Sequence, residues 1–216
     1  LIEQGDEFLL QVAAMHRGAS PLAVQGRLAV AALQALADRN PAGIKPQNGA
    51  EYPEHSFSRT LQRAAQLIRS DLGTEVIAID IGAWDTHANQ NARLNSRLPQ
   101  LAGAIDAFVQ DMGADMARVT MVTMSEFGRR ASENGSGGTD HGHGGVMFVL
   151  GGGVRGGQVY GQWPGLAESD LDQGDLQVTT DYRRVLGDVL RQQVAGFDTR
   201  QVFPDLPNQS GLGLFG

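Results

Sequence analysis

Apolar residues along the first forty positions recur at helical spacing rather than strand spacing. Phe8, Leu9, Val12, Ala13 and His16 fall on one helical face, and Val24, Leu28, Ala31, Ala32 and Ala35 repeat the pattern within the Ala- and Leu-rich stretch 22–38. Asn40-Pro41, Pro46 and Gly49 then break the periodicity and predict a loop. The helical pattern resumes at Phe57, Leu61, Ala64, Ile68 and Leu72, with Ser56 or Ser58 as the starting cap and Gly73 at the end. Another stripe, Leu98, Leu101, Ile105, Phe108 and Met112, begins near Ser96 with Pro99 in its first turn and stops at Gly113. Val185, Leu186, Val189 and Leu190 mark a last helix over 181–194.

Short apolar runs at 76–79, 119–124 and 146–150 lie between these helices and have strand length. Alternation of helix and strand predicts an α/β fold, a mostly parallel sheet flanked by helices. We expect residues 1–216 to form a single α/β domain, or a fragment of one, with a helical N-terminal part over about 1–45. The start at Leu1-Ile2-Glu3, without an initiator methionine, reads as that of a fragment or processed product, incomplete at its N-terminus. It shows no basic stretch followed by an apolar run, so no signal peptide is visible in this piece.

The composition narrows the functional classes. A formal net charge of −7 argues against a general nucleic-acid binder. No run approaches the roughly 20 apolar residues of a membrane span. The absence of cysteine excludes disulfides and zinc–thiolate sites within the chain. Nothing in the sequence specifies an oligomeric state.

Candidate chemistry gathers where the predicted strands end, the edge at which parallel α/β sheets bind ligands. The first run leads into Trp84-Asp85-Thr86-His87, and the second into Ser125-Glu126-Phe127-Gly128-Arg129-Arg130. The connection 125–145 is longer than the roughly 12–15 residues beyond which loops are usually functional or disordered. It carries Gly138-Thr139-Asp140-His141-Gly142-His143-Gly144-Gly145, which holds two of the five histidines. Imidazole and carboxylate are good ligands for zinc-like cations, and the flanking glycines permit the bend that aims neighbours at one point. Asp85 and His87, spaced i, i+2, share a face on an extended backbone. Asp85, His87, Asp140 and His141 are therefore the candidate metal ligands, enough for one closed or two open positions. His143 is a third imidazole ligand or an orienting partner. Glu126 is a ligand, a supporting acceptor or a simple cap. Arg129 and Arg130 suit bidentate anion binding, with a surface salt bridge expected for at least one of them. Trp84 is expected to pack, His16 to lie partly buried on its helix, and His55 to serve no site. Gly151-Gly152-Gly153 lacks the Lys and Ser/Thr of a phosphate loop.

These blocks, together with Gln90 and the run from Gly151 through Val154, Arg155, Gly156 and Gly157 to Tyr160-Gly161, resemble a bacterial family known as domain of unknown function 1501. The resemblance covers most of 52–207 and is looser over the first forty residues. That family is placed in the alkaline phosphatase and sulfatase superfamily. The resemblance thus implies an alkaline-phosphatase-like fold, a two-metal site, hydrolysis or transfer of phosphate and sulfate esters, and a periplasmic or exported location. The implied cofactor is a divalent metal, zinc first, with manganese, calcium or magnesium as alternatives. The implied partner is a small-molecule or polymer ester. Asp140-His141 corresponds to the superfamily's Asp-His ligand pair, and Asp85 and His87 to ligands of the other metal. The spacing departs from the pattern, with one residue between Asp85 and His87 where three are usual. No histidine follows His143, which can take the place of the late ligand. The superfamily nucleophile, a Ser, Thr or modified Cys near the first strand, is expected upstream of the matching region. A non-catalytic metal-binding relative, acting in binding or assembly at the cell envelope, is the alternative. A purely structural α/β domain is the third reading.

Overall fold

The computed structural model describes residues 2–206 and 211–216, so Pro207, at the end of the resembling region, lies outside it. The chain divides into two compact units, residues 1–80 with 100–111 and residues 81–99 with 112–216.

In the first unit, α1 (Ile2–Met15) packs against α2 (Pro21–Arg39). Ser20 caps α2 by accepting Ala23 N at 3.2 Å, with Pro21 in the first turn. The His16 ring lies so close to Gly26 that a Cβ there would stand 2.1 Å from its Cδ2, and His16 Nδ1 donates to Val12 O at 2.8 Å. His16 is thus a packing residue. The buried positions of α2 are Ala23 and Val30, while Leu28 of the expected stripe is 58% exposed. A 3-10 turn (Pro41–Gly43) follows, then α3 (Ser56–Arg69). The cap of α3 is His55, whose Nδ1 accepts Ser58 N at 3.2 Å, and not the serine expected there. Leu61, Ala64 and Ala65 form its buried face.

The long helix α4 (Gln90–Met112) starts well before the expected boundary and contains Pro99 in its interior. In the first unit it buries Ala104, Ala107, Phe108 and Asp111. Asp111 is an interior carboxylate. Its Oδ1 accepts Gln47 N and Arg69 Nη1, both at 2.7 Å, and its Oδ2 accepts the Tyr52 hydroxyl at 2.8 Å. The second guanidinium nitrogen of Arg69 and the Asn48 amide donate to the Asp111 carbonyl. Burial first, and then the bond to Asp111, hold the Tyr52 phenol protonated far above its usual range. This ion pair ties α3, α4 and the loop 47–52 together.

Among its described residues the second unit holds a 3-10 segment (Gly113–Arg118) and six short strands: β1 (Thr120–Val122), β2 (Gly128–Arg129), β3 (His141–Gly142), β4 (Val149–Gly151), β5 (Leu171–Asp172) and β6 (Asp175–Leu176). All three pairings are antiparallel: β1 with β4, β2 with β3, and β5 with β6. The mostly parallel sheet expected from the alternation is therefore not formed among the described residues. A parallel pair needs a crossover, usually helical, and the stretch joining β1 to β4 contains no helix, so the chain returns antiparallel. The expected strands 119–124 and 146–150 survive in part as β1 and β4. The run 76–79 forms no strand among the described residues, and Val76 is 85% exposed.

Beyond the β5–β6 hairpin and its preceding 3-10 turn (Glu168–Asp170) come α5 (Tyr182–Gln193) and α6 (Thr199–Val202). Asp181 caps α5 by accepting Arg183 N at 2.9 Å and also pairs with the Arg183 guanidinium. Val185 and Val189 are its buried apolar positions, and buried Asp188 accepts from Arg191 and from Leu214 N.

Truncating Asp111 to Ala breaks the buried ion pair with Arg69 and removes the acceptor of Gln47 N and of the Tyr52 hydroxyl, and we expect a loss of about 3–5 kcal/mol in urea unfolding. The double variant Arg69→Met/Asp111→Leu should recover most of it. Asp181 is held below the ordinary carboxylate range, first by its Arg183 hydrogen bond. Its contribution is therefore present above the unfolded pKa and lost as pH falls through the folded one. Asp181→Ala should cost about 1 kcal/mol at pH 7 and progressively less in acid, as read by thermal melts across pH.

Candidate metal centre

The site is built on one backbone contact within the second unit. Thr86 is buried; its hydroxyl donates to Gln90 Oε1 at 3.0 Å and its carbonyl accepts Thr139 N at 3.3 Å. The Thr139 hydroxyl donates to the same Gln90 oxygen at 2.7 Å. Two carbonyls of the 134–140 loop accept the N–H groups that open α4, Ser136 O from Asn89 at 3.1 Å and Gly137 O from Gln90 at 2.8 Å. The loop thus satisfies donors that a helix start leaves unpaired, which explains why α4 begins at Gln90. Gly138 sits at the closest approach. A Cβ there would lie 2.3 Å from His87 C and 2.4 Å from the Thr86 carbonyl oxygen.

Pairing of β2 with β3 sets His141 opposite Arg129 and carries it to the same place. His87 Nε2 then lies 3.1 Å from His141 Nε2 and 3.0 Å from Asp85 Oδ1, and His141 Nε2 lies 3.1 Å from that same oxygen. Three donor atoms form a nearly equilateral triangle. An edge of a zinc tetrahedron is about 3.3 Å for bonds of about 2.0–2.1 Å, so the spacing suits a cation. Asp85, His87 and His141 can hold a metal ion. Asp85 and His141 are exposed and His87 is half-buried, so the triangle opens to solvent.

Asp140 stands behind the triangle. Its Oδ1 faces His87 Nδ1 at 3.0 Å, on the far side of the ring from the donor atoms. It also accepts Asn134 Nδ2 at 2.9 Å. Asp140 and His141 were both expected as ligands, yet in this structure the carboxylate is turned to His87. Arg129 donates to Asp85 Oδ1 and Thr139 O at 2.8 Å and to Trp84 O at 3.0 Å, so its guanidinium serves internal acceptors, including an ion pair. Arg130 Nη2 donates to Gln173 O at 2.6 Å in the β5–β6 turn. Glu126 and His143 are exposed, and neither belongs to the donor group found among the described residues. Phe127, between Glu126 and Gly128, makes a tilted ring contact with His141, centroids 4.9 Å apart.

Both carboxylates are held below their usual range. For Asp85 the His141 hydrogen bond is the main cause and the Arg129 bond the next. For Asp140 the order is His87, then Asn134. An ionised, oriented Asp85 is the state a metal ligand requires.

A family model described as protein of unknown function (DUF1501) matches residues 22–202. The chain belongs to the DUF1501 family. The match includes every residue of the donor triangle and of the loop that supports it. No curated protein and no solved structure matches the chain.

Asn134 went unnoticed in the sequence, although Asn-Gly-Ser-Gly-Gly at 134–138 is a strong signal for an Asn-initiated turn. Thr86, Thr139 and Gln90 likewise carry no pattern that marks them as a docking set. Since Gly138 packs on unyielding backbone, Gly138→Ala should undock the 134–140 loop. Amide exchange of Thr139 and Gln90 should then accelerate by at least about tenfold, corresponding to about 1.4 kcal/mol of local stability. Unchanged protection would show that the loop does not depend on this contact.

Proposed function

We propose that this DUF1501 chain carries a divalent-metal centre on Asp85, His87 and His141 and serves the hydrolysis of phosphate or sulfate esters. The observation supporting this reading is the convergence of two imidazole nitrogens and one carboxylate oxygen on a solvent-open face. Two imidazoles and a carboxylate suit zinc or manganese better than calcium or magnesium, which prefer oxygen ligands throughout. Three protein ligands also leave a coordination position for water or substrate, as in catalytic zinc sites. A metal held there would polarise an ester oxygen and ease deprotonation of an attacking hydroxyl. Arg129 keeps Asp85 ionised and aimed, while Asp140 supports His87. Membership of the alkaline phosphatase and sulfatase superfamily, an exported location, and a small-molecule or polymer ester substrate belong to the same reading.

A second reading is favoured by the state of the nearby hydroxyls. Thr86 and Thr139 both donate to Gln90 Oε1, and Thr86 is buried, so both are committed to structure rather than poised to attack. That arrangement suits a metal-binding relative that acts in binding or assembly at the cell envelope.

Purified protein should bind about one equivalent of zinc or manganese, with affinity reduced at least about tenfold in Asp85→Ala, His87→Ala and His141→Ala. Titration calorimetry measures this directly. Turnover of aryl phosphate and aryl sulfate esters with added metal separates the two readings. Tight metal binding with no turnover on either ester class leaves the second; failure to bind any of zinc, manganese, cobalt, calcium or magnesium removes both.

A further inference from the structure

We propose that Asn134 is the positioning residue of His87: acting through Asp140, it keeps the imidazole proton on Nδ1 and turns the Nε2 lone pair toward His141 and Asp85. The link to metal affinity rests on the metal-centre reading above; the link to the imidazole proton does not.

The Asn134 amide has two halves with separate tasks. Its Oδ1 accepts Ser136 N at 2.9 Å and Gly138 N at 3.1 Å, closing the turn from within. Its Nδ2 reaches out of the turn to His87 O at 3.0 Å and Asp140 Oδ1 at 2.9 Å. All four hydrogen-bonding capacities of the amide are used. The orientation is unambiguous, because a flipped amide would set N–H against N–H at two partners and oxygen against oxygen at the other two. Asn134 therefore grips the His87 backbone and the Asp140 carboxylate with one nitrogen and fixes their separation.

That separation decides the chemistry of the ring. An ionised carboxylate accepts hydrogen bonds and donates none, so the hydrogen bond between Asp140 Oδ1 and His87 Nδ1 at 3.0 Å requires the proton on Nδ1, whereas the hydrogen-bond partner of Nε2 is His141 Nε2 and its 3.0 Å approach to Asp85 Oδ1 is a charge contact. In a neutral ring Nε2 is then bare, and Nε2 is the atom that faces His141 and Asp85. Outer carboxylates that orient ligating imidazoles in this way are recurrent partners of metal sites. His141 differs. Among the described residues its Nδ1 has no hydrogen-bond partner, and its ring is steadied by tilted ring contacts with Phe127 and His87. One of the two imidazoles is thus preset and the other is left to adapt.

Asn134→Asp tests the idea, since it keeps Oδ1 for the turn and replaces the reaching nitrogen with an oxygen. Nitrogen-15 NMR of the metal-free full chain at pH 8 reads which His87 nitrogen carries the proton. Wild type should show a protonated Nδ1, and Asn134→Asp should move the proton toward Nε2 while the thermal midpoint stays within a few degrees. Asp140→Asn, which leaves the turn intact, should shift the tautomer the same way. Zinc or cobalt affinity should fall about 10–100-fold in both variants. A bare Nδ1 in wild type overturns the proposal, as does an Asn134→Asp protein with the wild-type tautomer. If wild type binds neither metal but the tautomer behaves as stated, the metal centre fails and the positioning role stands.

Discussion

Everything at the candidate site depends on how closely the backbone at Gly138 lies against Thr86 and His87. A side chain at 138 would collide with main-chain atoms that cannot swing aside. The contact is held by directional bonds: Thr139 N to Thr86 O, two threonine hydroxyls sharing Gln90 Oε1, and loop carbonyls on the first amides of α4. These bonds use up polar groups that partial burial would otherwise leave unsatisfied, so they hold the loop in one register. Asp140 and His141 follow Gly138 within three residues, and their positions are inherited from it.

Such docking explains how an exposed cluster can be ordered. Exposed ion pairs contribute little stability, and the surface charges of Asp85 and Asp140 would not assemble the site alone. The organisation comes from neutral groups beneath them: buried Thr86, the Gln90 amide and the Asn134 amide. The two carboxylates then differ by where the backbone delivers them. Asp85 Oδ1 meets Arg129, His87 and His141 on the open side, whereas Asp140 Oδ1 meets His87 from behind. A residue type that looks equivalent in the sequence divides into a candidate ligand and its support. The first unit uses a carboxylate in the opposite way. Asp111 is buried, fully paired with Arg69, Tyr52 and backbone groups, and structural.

Several elements were legible from pattern alone. α5 matches its apolar stripe closely and α3 matches most of its own, each presenting a narrow, strongly amphipathic face, although α3 ends at Arg69 with Ser70 as its cap, short of Leu72 and the expected Gly73. Elsewhere the pattern was an incomplete guide. Pro99 read as a first-turn residue, but α4 begins nine residues earlier because its cap comes from the 134–140 loop, distant in sequence. The stripe on α2 misses the buried positions Ala23 and Val30, and the fit of Gly26 to His16 carries no hydrophobic signal. Apolar runs at 119–124 and 146–150 marked extended chain, while pairing direction was decided by a connection without a helix.

The residue types of the centre, its glycine setting and the grouping of Asp85 with His87 and of Asp140 with His141 were determined by the sequence. Composition and spacing reveal which donors exist and which local bends are open to them. Only the tertiary structure decided that Asp85, His87 and His141 point at one place, that Asp140 and Asn134 stand behind His87, and that Arg129 is spent on the exposed Asp85 carboxylate. Those assignments are made by hydrogen bonds between segments some fifty residues apart, and periodicity, a property of neighbouring residues, carries no record of them.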